Sequence, residues 1–241
     1  MRVLLLGGTA EARALAARID GSVEVISSLA GRVPDPALPV GQVRIGGFGG
    51  VPGLRDWIAD NAVDAVVDAT HPYAATISAN AAAACGQLRV PHLLLARPAW
   101  SPDGVTLVAS DAEAVKYVRQ HGHSRIFLTT GRSGTAVFAE SDAWFLIRAV
   151  TAPDSTALPR RHELLLSRGP YDFAGERALM QSRAIDALVT KNSGGAMTRP
   201  KLDAAAALGV DVVMIDRPAP PAGVRTVSTV DDAVAWVQEL G

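Results

Sequence analysis

The stretch "RVLLLGGTAEARALAARI" (residues 2–19) carries the first decision about the fold. A short apolar run meets a glycine pair, and an amphipathic helical pattern begins at once. Strand, glycine turn and helix in that order is how a dinucleotide-binding unit starts. The usual G-x-G-x-x-G is absent, and Gly7, Gly8, Thr9 and Ala10 stand in its place. Gly7 and Gly8 let the backbone turn sharply and approach a ligand without side-chain obstruction. Thr9 suits a helix N-cap, which leaves the first helical amides to meet phosphate oxygens. The same residues also suit a plain strand-to-helix turn, and this stretch alone leaves both readings open.

The same rhythm runs outward along the chain. Short apolar runs predict strands at 2–6, 23–27, 42–46, 64–69 and 92–96, with helices at 10–19, 52–61 and 73–85. "RPAWSPDG" (97–104) interrupts the pattern, and a second series follows. Its strands are expected at 106–109, 125–130, 144–150, 163–167, 186–191 and 211–215, and its helices at 111–120, 173–183, 198–208 and 231–240. Strands alternating with helices predict an α/β fold with mostly parallel sheets covered on both faces. We expect two Rossmann-like domains, residues 1–100 and 101–241, with a ligand cleft between them. The proline-rich "DRPAPPAG" (216–223) reads as a local connection.

In open α/β sheets ligands bind beyond the carboxyl ends of the strands, and the unusual residues fall there. An NAD-binding fold places an acid about 20 residues after the glycines, on the ribose hydroxyl. Here that distance reaches Ser27 and Ser28, with Arg32 close behind. Hydroxyls and a guanidinium suit a 2′-phosphate, which a carboxylate would repel. NADP(H) is therefore expected over NAD(H). "GGFGG" (46–50) suggests close backbone approach to a ligand, and "THPYA" (70–74) places His71 and Tyr73 after a buried strand. His71 titrates near neutrality and is a candidate proton donor or polar clamp. In the second half, "TTGRSG" and "TKNSGG" offer Thr130, Gly131, Arg132, Lys191, Asn192, Ser193 and Gly194 as donors for an anionic ligand.

Composition narrows the alternatives. The 241 residues are 49% hydrophobic and 20% charged with a net charge of −1, so no global field draws nucleic acid or membrane. Lys116, Lys191 and Lys201 are the only lysines, and Cys85 is the only cysteine, which excludes an internal disulfide. Neither a signal-peptide h-region nor a membrane-length apolar run is visible, and a cytoplasmic location is expected. No H-E-x-x-H metal motif, nucleophile elbow or Walker A pattern is present.

Taken in order, "LLGGTAEARALA", "SSLAGR", "GGFGGVPGL", "DATHPYAATISANA", "RPAW", "TTGR", "GPYD" and "TKNSGG…KLDAAAALG" resemble the precorrin-6A reductases of cobalamin biosynthesis. The resemblance implies an NADPH-dependent reductase acting on a ring-contracted tetrapyrrole, with hydride delivered to its C18=C19 bond to give precorrin-6B. The cobalt-precorrin-6A reductases of the anaerobic branch, or a non-catalytic nucleotide- or tetrapyrrole-binding protein, are the rival readings. The cofactor residues would be Gly7, Gly8, Thr9, Ala10, Ser27, Ser28, Arg32, Gly47 and Thr70. The tetrapyrrole's acetate and propionate arms would meet the donors of the second half. The proton could come from His71, Tyr73 or water. No resident metal is implied, and the expected partners are the anionic tetrapyrrole and neighbouring enzymes of the corrin pathway.

Overall fold

β1 (Arg2–Leu6) lies in the interior of a parallel sheet, with β2 (Glu24–Leu29) on one side and β4 (Ala65–Asp68) on the other. In the computed structural model, which describes residues 1–31 and 38–241, its residues from Val3 to Leu6 are at most 2% exposed. Alternation divides them between two cores. Val3 and Leu5 pack with Leu15 and Ile19 of α1 (Ala10–Ile19) and with Trp236 of α7 (Val230–Leu240). Leu4 and Leu6 pack with Leu54 and Ile58 of α2 (Gly50–Asp60) and with Ala81 and Cys85 of α3 (Ala75–Leu88). A strand covered on both faces has no solvent side, which explains the unbroken apolar run. Each buried leucine contributes about 1.5–3 kcal/mol. Burial, with the charge of Asp68 adding to it, pushes the Cys85 thiol up to about 12, so it behaves as a small hydrophobe.

With β3 (Gln42–Ile45), β5 (His92–Leu95) and β12 (Arg225–Val227), the first sheet has six strands in the order β3-β2-β1-β4-β5-β12. The second sheet contains β6 (Thr106–Val108), β7 (Arg125–Thr129), β8 (Trp144–Ala149), β9 (His162–Leu166), β10 (Ala187–Lys191) and β11 (Asp211–Ile215). Its order is β9-β8-β7-β10-β11-β6. Every strand pairing described in either sheet is parallel. On one face of the second sheet Phe127, Leu146, Leu188 and Met214 pack with Met180 of α5 (Phe173–Ser182) and Leu202 of α6 (Pro200–Leu208). α4 (Asp111–Gln120) packs against β11 and β6.

Both sheets follow the order 3-2-1-4-5-6, but each takes its sixth strand from an unexpected part of the chain. β6 precedes the other strands of its sheet, and β12 follows the whole of the second unit. The chain divides into residues 1–98 with 218–241, and residues 99–217. This corrects the expected boundaries of 1–100 and 101–241: residues 218–241 rejoin the first unit. "DRPAPPAG" is accordingly where the chain leaves the second unit, not a local turn. The two exchanged segments also resemble each other, "TLVASDAEAVKYVRQHG" (106–122) beside "RTVSTVDDAVAWVQELG" (225–241). Ser110 and Thr229 cap their helices, each accepting a hydrogen bond from the amide of the third residue onward. Among the described residues no helix is long and apolar enough to cross a membrane.

Candidate active site

The order of the first sheet reverses between β1 and β4, which places the loops after these strands on either side of a crevice. Thr9 joins them. Its hydroxyl donates to the Ala69 carbonyl at 2.7 Å and accepts from the Ala12 amide at 3.1 Å, so it is the N-cap of α1. Gly7 N donates to Ser28 O at 2.9 Å and carries the β1–β2 ladder one residue further. Gly8 has a φ of +111°, which only glycine adopts readily. Gly7 has an ordinary φ, and a Cβ there would meet its neighbours no closer than 3.5 Å. The fold itself therefore does not demand glycine at position 7, and its bareness is available to a ligand.

A small recess opens beside this turn, lined in part by Gly7, Gly8, Ala12, Arg13, Ser27 and Leu29. Ser27 is 1% exposed, and its Oγ has no hydrogen-bond partner among the described residues. A buried unpaired hydroxyl is costly and asks for an occupant. Ser28 is held by Arg44, whose guanidinium donates to Ser28 Oγ at 2.9 Å, Gly46 O at 3.0 Å and Gly47 O at 3.1 Å. The same guanidinium lies 3.7 Å from the Phe48 ring centroid, and burial lowers its pKa. Arg44 was not foreseen. Its place directly before the glycine cluster in "RIGGFGG" was the available signal. Arg32 lies outside the described residues.

Across the crevice, Thr70 donates from its amide (3.0 Å) and its hydroxyl (2.7 Å) to Asp68 Oδ1. Asp68 is wholly buried, and its Oδ2 has no partner among the described residues. His71 is exposed, and its Nδ1 accepts from the Tyr73 amide at 3.3 Å. The two rings are 5.7 Å apart. The predicted residues Gly7, Gly8, Thr9, Ala10, Ser27, Ser28, Gly47, Thr70, His71 and Tyr73 thus all lie at the carboxyl edge of one sheet.

The second sheet reverses between β7 and β10, and Thr190 pairs with Thr129 there. This register brings Thr130, Gly131 and Arg132 beside Lys191, Asn192, Ser193 and Gly194. Asn192 faces inward: its Oδ1 accepts from Trp100 N at 2.8 Å and its Nδ2 donates to Trp100 O at 3.2 Å. That amide holds the entering chain in place, a structural task the sequence did not reveal. Behind the loops lies a buried charged cluster. Arg148 forms a bidentate pair with Glu176, and its guanidinium lies 3.7 Å from the Tyr171 ring centroid. Lys201 sits 5.0 Å from the Trp100 ring centroid. Burial, then Arg148, lower its pKa to about 7 against the opposing pull of Glu176. No group of three metal-ligating side chains occurs among the described residues.

Two Rossmann-ordered sheets with donor-rich carboxyl edges agree with the family comparison, in which the precorrin-6x reductase (CbiJ/CobK) model matches residues 2–238. The chain belongs to this family. It is 65% identical over 239 residues to a precorrin-6A reductase of Mycobacterium tuberculosis, covering 99% of this chain and 98% of the relative. A precorrin-6A reductase of Rhodococcus erythropolis is 53% identical, with 99% and 98% covered. A cobalt-precorrin-6A reductase of Priestia megaterium is 32% identical, with 90% of each covered. A solved structure titled CobK precorrin-6A reductase superposes with a TM-score of 0.91 at 37% identity, over 100% of this chain and 97% of that one. The family membership and the α/β architecture with parallel sheets are thereby established.

Proposed function

We propose that the protein is an NADPH-dependent precorrin-6A reductase that reduces the C18=C19 bond of the macrocycle to give precorrin-6B in cobalamin biosynthesis. The observation that carries this reading is the family match over residues 2–238, joined to a first sheet whose carboxyl edge has a bare Gly7 and a buried Ser27 hydroxyl with no partner among the described residues. The 65% identity to a precorrin-6A reductase, against 32% to a cobalt-precorrin-6A reductase, favours the metal-free substrate.

These residues fit a dinucleotide. The α1 amides behind Thr9 would take the pyrophosphate. Ser27, Ser28 and Arg32 would take the 2′-phosphate, with Arg44 fixing Ser28 and adding its own charge. Gly47 and Thr70 complete the cofactor contacts. NADPH supplies the hydride. The chain's own work is to orient: His71 and Tyr73 clamp the substrate, while Thr130, Gly131, Arg132, Lys191, Ser193 and Gly194 take its carboxylate arms. Asn192 supports that loop from behind. The tetrapyrrole arrives from and passes to neighbouring enzymes of the corrin pathway.

Mixing the purified protein with precorrin-6A and NADPH tests the proposal. Stoichiometric loss of NADPH with formation of a dihydro product is expected. Binding of both ligands without oxidation would reduce the protein to a binding module.

A further inference from the structure

Glu11 stands in the first turn of α1, and Arg97 lies two residues beyond the end of β5. Arg97 opens "RPAW", a stretch that the cofactor and substrate contacts above leave unused. Leu93 and Leu95 of β5 pack in the same core as Ala12 and Leu15 of α1, so Arg97, two residues on, reaches the same side of the sheet. There Arg97 Nη1 donates to Glu11 Oε2 at 2.9 Å. The two side chains are 17% and 25% exposed. Among the arginine ion pairs of the described residues only Arg148–Glu176 is more enclosed.

An acid in a helical first turn ordinarily serves the helix, because its charge offsets the positive end of the dipole. At α1 that service conflicts with a phosphate ligand. Thr9 Oγ1 and Thr9 O take the amides of Ala12 and Arg13, which leaves the amides of Ala10 and Glu11 for an anion. The adjoining recess is lined by Gly7, Gly8 and Ser27, and the buried Ser27 hydroxyl has no partner among the described residues. The sheet edge therefore calls for a ligand independently of the helix end. A dinucleotide pyrophosphate is doubly negative, and an uncompensated carboxylate in the same turn would repel it.

We propose that Arg97 is a positioning residue of the cofactor site, holding and neutralising the Glu11 carboxylate so that the N-terminus of α1 accepts a dinucleotide pyrophosphate. This rests on the NADPH reading above. Arg97 acts through Glu11 and does not itself meet the phosphates. Glu11 keeps its place at the helix dipole, and the guanidinium turns its charge away from the ligand. The pyrophosphate is common to NADPH and NADH, so this pair sets affinity for both. The 2′-phosphate contacts alone separate the two cofactors.

Binding titrations of NADPH and NADH against a cycle of variants test the proposal. Arg97→Gln should weaken both cofactors by the same factor, roughly tenfold or more, with a larger loss at low ionic strength than at high. Glu11→Gln should bind both at least as tightly as wild type. The double variant, Glu11→Gln with Arg97→Gln, should return to within about threefold of wild type, since the repelling charge is gone. No loss in Arg97→Gln, or a loss confined to NADPH, would overturn the proposal. So would a double variant as weak as Arg97→Gln, which would make Arg97 a direct ligand contact or a purely structural bridge. If Arg97→Gln does not fold, Glu11→Gln alone decides, since weakened binding there contradicts the proposal. Wild-type protein that binds neither cofactor would instead overturn the NADPH reading, so the two failures are distinguishable.

Discussion

The two sheets share one strand order and differ in what stands at the reversal point. In the first, Gly7, Gly8, Thr9 and Ser27 offer backbone, hydroxyls and open space. In the second, Thr130 Oγ1 and Asp111 Oδ1 both border Gly134, and Arg148, Glu176 and Lys201 lie buried behind the edge. An edge of bare glycines and hydroxyls, with the Arg44 guanidinium close by, suits a cofactor that brings its own phosphates and its own chemistry. An edge with charged side chains at and behind it suits a ligand that carries carboxylates. The topology is common to both units, and the side chains at the strand ends are what distinguish them.

The comparison breaks most visibly at Glu176. Replacing it with Ala leaves Arg148 buried without its carboxylate, and should lower stability by about 3–5 kcal/mol in denaturant unfolding. A loss near zero would mean that the second unit does not depend on its buried charges. Lys201 is the complementary case. Its pKa is about 7 when folded, against about 10.5 for an ordinary lysine. The unfolded chain therefore holds the proton more tightly between these values, and stability rises with pH across that window. Lys201→Met should stabilise the protein most below pH 7, by at most roughly 5 kcal/mol, with the gain vanishing near pH 10.5. A gain independent of pH would place the effect in packing instead.

Smaller effects probe the first unit. Arg32→Ala should weaken NADPH roughly ten- to hundredfold in a binding titration and leave NADH nearly unchanged. Equal losses would remove the 2′-phosphate assignment. Gly7→Ala should shift stability by less than about 1 kcal/mol, because a Cβ there has room and φ is ordinary. The same variant should weaken NADPH measurably. Unchanged affinity would mean that no ligand approaches Gly7.

Much of this was legible in the sequence for physical reasons. Runs such as "VLLL" and "RIFLTT", short and alternating with helical stretches, read as strands covered on both sides, and the glycines and hydroxyls after them fall at the carboxyl edges where open α/β sheets bind ligands. β12 escaped notice because "RTV" has two exposed residues and no apolar run; it is a strand only because β5 offers it a free edge. The return of residues 218–241 to the first unit was hidden with it. Arg44 needed the β2–β3 pairing, which sets Ser28 opposite it. Asp111 read as an acid in a helical first turn, a common place for one. Its approach to Thr130 around Gly134 exists only in the folded chain.

The most direct test of the division of labour is a turnover experiment with precorrin-6A, supplying NADPH or NADH in matched reactions. The account predicts one NADPH oxidised per tetrapyrrole reduced, with NADH much the poorer donor. Tight binding of NADPH and precorrin-6A without any oxidation would contradict it.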